Sequence, residues 1–201
     1  MINITESQKI IDKEIQAIVN TIYENRDNDN FYHKGTFNTK DLPDHENYTV
    51  DLNKDAYFRG IIYSLLENIN ANHCIYWFEL ESDVKASELN TLLCNYRDTK
   101  AKKVPATNKN FNSRILYLGK RYGGYRITDG LTNIVGRMNI HLGYYKQPGT
   151  QGLQLYEYAR GKDFNITIKV VEIEGLETYC LGVIEKLLAK RMLPLCGRYK
   201  L

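Results

Sequence analysis

Apolar residues recur at helical spacing near the start of the chain, between residues 4 and 23. Such a stripe is typical of a helix that packs one face against a core. The polar stretch 25–30 indicates a turn, residues 31–50 are rich in aromatic and turn residues without a clear period, and a second helical pattern covers residues 55–69. We therefore predict an acidic helical region for residues 1–70. The stripe of its first helix consists of Ile11, Ile15, Ile18, Val19 and Ile22.

From residue 74 onward, short apolar runs alternate with helical patterns. Predicted strands cover residues 74–80, 115–118 and 165–173. The alternation of apolar and polar positions is clearest in the last strand. Predicted helices cover residues 82–96, 131–142, 153–159 and 176–193. Together they predict an α/β (α+β) domain with a small, mostly antiparallel three-stranded sheet flanked by helices, and with residues 115–118 in the middle of the sheet.

Three residues mark the ends of these helices. Ser82 is expected to cap the helix that follows it, and Asp129 to cap the helix at 131–142, because short polar side chains accept hydrogen bonds from the first free backbone N–H groups. Pro194 ends the last helix, since proline has no backbone N–H to donate.

The helix at 131–142 carries a guanidinium and an imidazole beside its apolar stripe. Arg137 and His141 lie one turn apart on the same flank of that stripe. We therefore expect both side chains at the rim of the core. The stripe consists of Leu131, Ile134, Val135, Met138 and Leu142.

The last helix points a carboxylate toward apolar surroundings. Glu185 lies against the buried stripe, whereas Lys186 and Lys190 lie on the opposite face. Burying a carboxylate is unfavourable unless a cation meets it. Either an ion pair, for example with Arg137, or a divalent metal ion would satisfy this requirement.

Positive charge is concentrated in one stretch of the chain. The net charge is only +3, but residues 1–70 carry 7 Lys or Arg against 12 Asp or Glu, and residues 71–201 carry 20 against 12. Between Asp98 and Asp129 the charged residues are all basic. Such a run is typical of a surface that contacts a phosphate backbone, and a solvated lysine-rich loop is the alternative. Its members are Lys100, Lys102, Lys103, Lys109, Arg114, Lys120, Arg121 and Arg126.

Membrane and disulfide-rich classes are not favoured. No stretch is long and apolar enough to span a bilayer, and the charged N-terminal helix does not resemble a signal peptide. The cysteines lie far apart in sequence, in a pattern that fits neither a zinc site nor a small disulfide scaffold, so we expect a reducing cytoplasm. They are Cys74, Cys94, Cys180 and Cys196.

Four pieces of the sequence, taken in order, resemble the GIY-YIG nuclease superfamily. They are Cys74-Ile75-Tyr76, Tyr117-Leu118-Gly119-Lys120, Arg137 with His141 one turn later, and Glu185 followed by Pro194. The family pattern is Gly-Ile-Tyr, Tyr-Ile-Gly-Lys, Arg with His one turn on, and a helix with Glu followed by a proline and an asparagine. The resemblance covers the chain from residue 74 to its end. It implies a nuclease domain at residues 71–201 with a basic insertion at about 97–113.

The sequence departs from the family pattern at three points. Cys74 replaces the first glycine, and Gly197 stands where the asparagine is expected. The segments between Tyr76 and Tyr117 and between Tyr117 and Arg137 are longer than in the family. Insertions in surface loops cost little stability, so they are compatible with the fold.

The resemblance implies a Mg²⁺-dependent (or Mn²⁺-dependent) hydrolysis of DNA phosphodiesters. Glu185 would hold the metal ion beside the leaving oxygen, and Arg137 would neutralise charge on the scissile phosphate. Tyr76 would be the general base, with its pKa lowered by neighbouring cations. His141 would accept the proton onward. The fifth residue, Tyr117, would position water or phosphate.

The remaining implied roles concern the cationic side chains and the N-terminal region. Lys120 would add to the positive field at the site, and the other basic residues of the run would bind DNA. Residues 1–70 and the basic insertion would supply recognition or dimer contacts, as in a restriction-type enzyme.

Each of these residues also has a structural explanation. A tyrosine is often a packed aromatic with a bonded hydroxyl, a histidine can stabilise a helix C-terminus, and Arg137 can pair with Glu185. Two other functions follow from such explanations: a DNA-binding module of the same fold that does not cut, and a protein-interaction domain.

Overall fold

The computed structural model describes residues 5–48, 54–110, 112–127, 130–147 and 149–198. In chain order its elements are α1 (Thr5–Glu24), β1 (His33–Asn38), α2 (Ala56–Phe58), α3 (Ser64–Leu66), β2 (His73–Leu80), α4 (Asp83–Thr99), β3 (Ile115–Arg121), α5 (Asn133–Leu142), α6 (Leu155–Ala159), β4 (Asn165–Ile173) and α7 (Cys180–Met192). A 3₁₀ turn at Thr39–Asp41 follows β1, and a π-helical turn at Arg59–Tyr63 joins α2 to α3. The predicted mixture of helices and strands is confirmed.

The strands form one antiparallel sheet in the order β1-β4-β2-β3. The described part of the chain therefore has four strands, and the prediction of three is wrong. Strand β2 lies inside the sheet, where Tyr76 pairs with Gly119 of β3 on one side and with Val170 of β4 on the other. Strand β3 lies at the end of this order, so the prediction that it occupies the middle is also wrong.

The additional strand comes from the region predicted to be helical. Strand β1 pairs with β4 from His33 opposite Val170 to Asn38 opposite Asn165. A Cβ atom on Gly35 would lie 2.3 Å from the carbonyl oxygen of Ile61, so this glycine lets the helical segment 56–66 press against the strand. Residues before position 70 therefore complete the same sheet as the strands that follow it.

Helices cover both faces of the sheet. On one face, Tyr76 and Phe78 of β2 pack with α4, α5, α6 and the segment 56–66. On the other face, Ile75 and Trp77 pack with α1 and α7. The two sets alternate along β2 because successive side chains of a strand point to opposite faces. Both faces are therefore buried, which explains why the sequence of β2 is almost continuously apolar.

The helix ends agree with the sequence in two cases and differ in two. The Ser82 side chain accepts a hydrogen bond from Lys85 N–H and caps α4 as predicted. Helix α7 ends at Met192, before Pro194, but begins at Cys180, later than predicted. Asp129 lies outside the described residues, and the observed N-cap of α5 is Thr132.

The segment after α7 closes the outer edge of β3. Backbone N–H groups of Leu195 and Cys196 donate to the carbonyl oxygens of Ile115 and Leu116, at 2.9 and 3.0 Å. The same segment binds the basic insertion, because Gly197 N–H donates to the carbonyl of Ala106 at 2.9 Å. Gly197 has a φ of +147°, which side-chain-bearing residues rarely adopt. The backbone at this position therefore suits glycine better than the asparagine of the family pattern.

The structure also bears on membrane spans and on the state of the cysteines. No helix within the described ranges is long and apolar enough to cross a membrane. The cysteines are free thiols, and three of them, Cys74, Cys180 and Cys196, are buried.

Candidate active site

Four elements bring five of the predicted catalytic residues to one cleft of about 240 Å³. Strand β2 supplies one tyrosine, strand β3 supplies the other tyrosine and a lysine, α5 supplies the arginine, and α7 supplies the carboxylate. These side chains are separated by up to about a hundred positions in sequence, and only the fold joins them. They are Tyr76, Tyr117, Lys120, Arg137 and Glu185.

Gly119 makes room for the Tyr76 side chain. The two residues are partners across β2 and β3. A Cβ atom on Gly119 would lie 2.6 Å from the Tyr76 hydroxyl oxygen and 2.9 Å from Cε1 of Tyr117. No carbon atom can approach an oxygen that closely, so the glycine of the second motif is required by the position of the tyrosine of the first.

The sixth predicted residue, His141, lies directly behind the cleft. It is fully buried, with 0 % exposure, so the expectation that it sits at the rim of the core is wrong. Its Nε2 lies 3.0 Å from the Tyr76 hydroxyl, and its Nδ1 accepts a hydrogen bond from Leu153 N–H at 3.1 Å. Because a backbone N–H can only donate, Nδ1 is the acceptor and Nε2 carries the proton of the neutral ring. His141 is therefore a donor to Tyr76.

This hydrogen-bond pattern changes the role expected for His141. Burial, together with the charge of Arg137, lowers the pKa of the imidazole, so the ring stays neutral. With Nδ1 bonded to the backbone and Nε2 already protonated, the ring has no site that can take a proton from Tyr76. The onward proton acceptance predicted for His141 therefore has no free acceptor atom in this arrangement, in which the ring donates to the Tyr76 hydroxyl.

The Tyr76 hydroxyl oxygen receives two donors. Besides His141 Nε2, the Nε of Arg137 donates to it at 3.1 Å. A phenol oxygen has two lone pairs and one proton, so both lone pairs are occupied and the O–H must point elsewhere. The hydroxyl lines the cleft, and we infer that its proton faces the space where a substrate would lie.

Burial dominates the acidity of both phenols. It raises the pKa of Tyr76 above the ordinary value, although the nearby Arg137 guanidinium acts in the opposite direction. Burial likewise raises the pKa of Tyr117, and Glu185 adds to the increase at both residues. The expectation that neighbouring cations lower the pKa of Tyr76 is therefore wrong for the protein without substrate or metal ion.

Arg137 connects the two phenols with the loop before α6. Its Nη1 donates to the backbone carbonyl of Gln151 at 2.6 Å, while Nε holds Tyr76. Burial opposes the charged guanidinium, but Tyr76 and Tyr117 raise the pKa of Arg137, so it remains a cation. These contacts fix the plane of the guanidinium at the cleft before any ligand arrives.

Glu185 is buried, with 6 % exposure, as the helical pattern predicts. It lies on α7 beside Ile184 and Leu188, which are fully buried. One turn earlier, a Cβ atom on Gly182 would lie 3.1 Å from Nζ of Lys120, so the lysine ammonium lies against α7 on the side of the cleft. The Glu185 charge is thus placed next to both tyrosines and a lysine.

Two further arginines line the same cleft. Arg121, predicted as a DNA-binding residue, donates to Asn133, and Arg198 was not predicted. Burial lowers the pKa of Arg121, and the charges of Arg137 and Arg126 lower it further. With Lys120, the cleft brings four cationic side chains together with one carboxylate. A position after the last helix gives no periodic signal, so the sequence offered no way to find Arg198.

Three other basic residues of the run lie outside the residues that line the cleft. Arg114 pairs with Glu79 at 3.1 Å on another part of the molecule. The Arg126 side chain lies over Gly136 of α5, where a Cβ atom would be 2.1 Å from its Cδ. Lys109 is exposed, outside the residues that line the cleft.

Lys102 has a structural role. Only 5 % of its side chain is exposed. Its Nζ lies 3.0 Å from a carboxylate oxygen of Glu157, 3.3 Å from the carbonyl oxygen of Tyr145 and 3.6 Å from the centre of the Tyr48 ring. The Lys102 ammonium is therefore held inside the protein, away from the surface at which it was predicted to bind DNA. Lys100 and Lys103 of the same turn are exposed.

The cleft offers few protein ligands for a metal ion. In the described ranges no group of three or more His, Cys, Asp or Glu side chains converges. Glu185 is the acidic residue among those that line the cleft. Magnesium often binds through one or two carboxylates, completing its shell with water and substrate phosphate oxygens. One buried carboxylate beside a cationic cleft fits that mode of binding.

Comparisons of the chain with protein-family models, with curated proteins and with solved structures gave no significant match. The resemblance to the GIY-YIG superfamily accordingly depends on the sequence motifs.

Proposed function

We propose that the protein is a metal-dependent endonuclease that hydrolyses phosphodiester bonds of DNA. One observation carries the proposal: residues from β2, β3, α5 and α7 that match a nuclease motif in order also line one cleft. That cleft combines a surplus of positive charge with two phenols and a carboxylate. Each of these groups has a task in phosphodiester hydrolysis.

The cations of the cleft would bind the scissile phosphate. Arg137 presents a planar group already oriented by Tyr76 and Gln151, and a guanidinium matches two phosphate oxygens. Lys120 and Arg121 add charge on the β3 side, and Arg198 adds charge from the segment after α7. Negative charge that develops on the phosphoryl oxygens would be stabilised in a site already assembled for it.

Glu185 would hold a Mg²⁺ or Mn²⁺ ion at this cleft. A bound divalent cation stabilises charge on phosphate and leaving-group oxygens. The carboxylate contributes its negative charge from a buried position on α7, which limits its motion.

Tyr76 would take the proton of the attacking water. His141 Nε2–H and Arg137 Nε–H both point at its oxygen, and donors to the charged form favour a phenolate. The raised pKa means that this form is scarce at neutral pH in the free protein. Cleavage should therefore speed up as the pH rises. Tyr117, whose ring centre lies 6.2 Å from that of Tyr76, would position water or phosphate.

Cleavage of a supercoiled plasmid tests the proposal. The wild-type protein should nick or linearise the plasmid with Mg²⁺ and should not do so with EDTA. Glu185→Gln should abolish cleavage while retaining DNA binding, because the substitution removes one charge and little volume. Glu88→Gln is the matched control, since Glu88 is an exposed residue that pairs with Lys85 within α4.

Three results would distinguish the alternatives. A protein that binds DNA but leaves it intact under all metal conditions would be a binding module of this fold. Absence of salt-dependent DNA binding would exclude both DNA-related functions and would favour a protein-interaction domain. Discrete fragment ends in a digest of DNA of known sequence would support a restriction-type enzyme, and scattered ends would contradict that subtype.

A further inference from the structure

A second basic cavity, of about 560 Å³, lies beside the candidate active site. It is lined by the end of α4 and by the first residues of the basic insertion, with Gly149 and Gln151 on its other side. Arg97, Lys100 and Lys103 contribute exposed cationic side chains. Among the described residues no acidic side chain lines it. The described lining of the cavity is therefore a concentration of positive charge.

The turn that forms this cavity is held in place by the protein core. Lys102 points inward and is fixed by Glu157 and the Tyr145 carbonyl, so its neighbours Lys100 and Lys103 remain at the surface. Lys100 itself has the left-handed φ of +56° that ends α4. The exposed cations thus lie on a fixed turn, which reduces the entropy lost when they bind an anion.

One strip of chain separates the cavity from the candidate active site. Val104 and Ala106 line the cavity, and Pro105 between them lines the active-site cleft. Gln151 lines both, and its backbone carbonyl accepts the hydrogen bond from Arg137. The two sites are therefore neighbours that share a wall.

We propose that this second cavity binds a non-scissile phosphate of the DNA backbone, next to the phosphate held in the active-site cleft. The inference rests on the proposed nuclease function, and it adds the direction in which the DNA backbone would continue beyond the active-site cleft. Phosphate contacts of this kind fix the register of a duplex on a protein without reading its bases. Arg97, Lys100 and Lys103 would supply these contacts, and the buried Lys102 would not.

A salt titration of DNA binding tests the proposal. The probe is a fluorescently labelled DNA duplex in EDTA, with anisotropy measured over a range of NaCl concentrations. Replacing Arg97, Lys100 and Lys103 together by Ala should weaken binding at low salt. It should also reduce the slope of log K against log[salt] by about 0.9 for each phosphate that the variant no longer neutralises.

The matched control removes the same charge elsewhere. Lys9 and Lys13 of α1 and Lys190 of α7 are exposed and do not line either cavity. Their joint replacement by Ala should leave the slope unchanged if the contact is local, and should reduce it equally if only net charge matters. Circular dichroism and urea unfolding of both triple variants establish that each is folded.

The outcomes separate this inference from the proposed function. If the wild type cuts DNA and the first triple variant keeps the wild-type slope, the second phosphate site is refuted and the nuclease stands. If the slope falls as expected but no variant or wild-type protein cuts, the cavity binds DNA and the nuclease proposal fails. An equal fall in both triple variants, or a preference for an RNA duplex over the DNA duplex, also overturns the inference.

Discussion

Gly119→Ala is the substitution that most directly tests how the cleft is built. The added Cβ would lie 2.6 Å from the Tyr76 hydroxyl oxygen and 2.7 Å from its Cζ. An unstrained carbon–oxygen contact is about 3.4 Å, so the phenol must move by about 0.8 Å. Its hydrogen bonds to His141 and Arg137 measure 3.0 and 3.1 Å, and we expect this displacement to lengthen or misalign at least one of them.

The movement should affect activity more than stability. Overpacking of a buried site costs about 1–3 kcal/mol, which a protein of this size is expected to tolerate. Misplacing a catalytic group by about 1 Å lowers the rate about a hundredfold. We therefore expect Gly119→Ala to unfold at lower urea concentration, to bind DNA as the wild type does, and to cut plasmid about a hundred times more slowly.

Gly60→Ala provides the control. Gly60 lies in the helical segment 56–66, and a Cβ atom there has nothing within 4 Å. This variant should keep the wild-type cleavage rate and should be slightly more stable, because alanine loses less backbone entropy on folding. Wild-type cleavage by folded Gly119→Ala would refute the position assigned to Tyr76.

Three further predictions concern the phenol, its histidine partner and the anchored lysine. Because burial raises the pKa of Tyr76, the phenolate fraction rises about tenfold for each pH unit below that pKa. Single-turnover cleavage rates should therefore increase from pH 6 to 9 with no plateau, and a rate independent of pH would contradict a general-base role. His141→Phe should lower the unfolding free energy by about 2 kcal/mol in urea titrations, because the buried Leu153 N–H loses its acceptor. It should also slow cleavage, and full activity would show that the donor is dispensable. Lys102→Ala should lower the midpoint of urea unfolding by an amount equivalent to about 2 kcal/mol, because it leaves Glu157 without its cation, whereas Lys103→Ala should not change it. Equal effects of these two lysine substitutions on stability would contradict the inward position of Lys102.

Helices and strands with a clear hydrophobic pattern could be predicted from the sequence. Strand β4 has the predicted bounds Asn165–Ile173, and α1, β2 and α4 lie within a few residues of their predictions. Strand β1 escapes prediction because its sequence, His33–Asn38, is short and contains a glycine, which is typical of a turn. That glycine is needed only because a carbonyl of the segment 56–66 approaches it, a contact that no local pattern reveals.

The sequence predicted several residues of the candidate site, but it did not predict how their side chains contact one another. Motif order identified five of the residues that line the cleft, and helical periodicity placed Glu185 in a buried position. The basic run, in contrast, predicts the same role for all its members, whereas the fold buries Lys102 and pairs Arg114 with Glu79. Neighbouring residues of a loop can point in opposite directions, as the buried Lys102 and the exposed Lys103 do, and the order of charges along the chain does not contain that information.

The sequence by itself determined the strongly patterned helices and strands and the chemical groups available, because these depend on contacts between near neighbours in the chain. The tertiary structure alone decided that His141 donates to Tyr76, since its tautomer is set by the N–H of Leu153 from a different segment. It also decided that Gly119 must lack a side chain and that two basic cavities share one wall. These features depend on atoms brought within a few ångströms by residues far apart in sequence, and such distances exist only after the chain has folded.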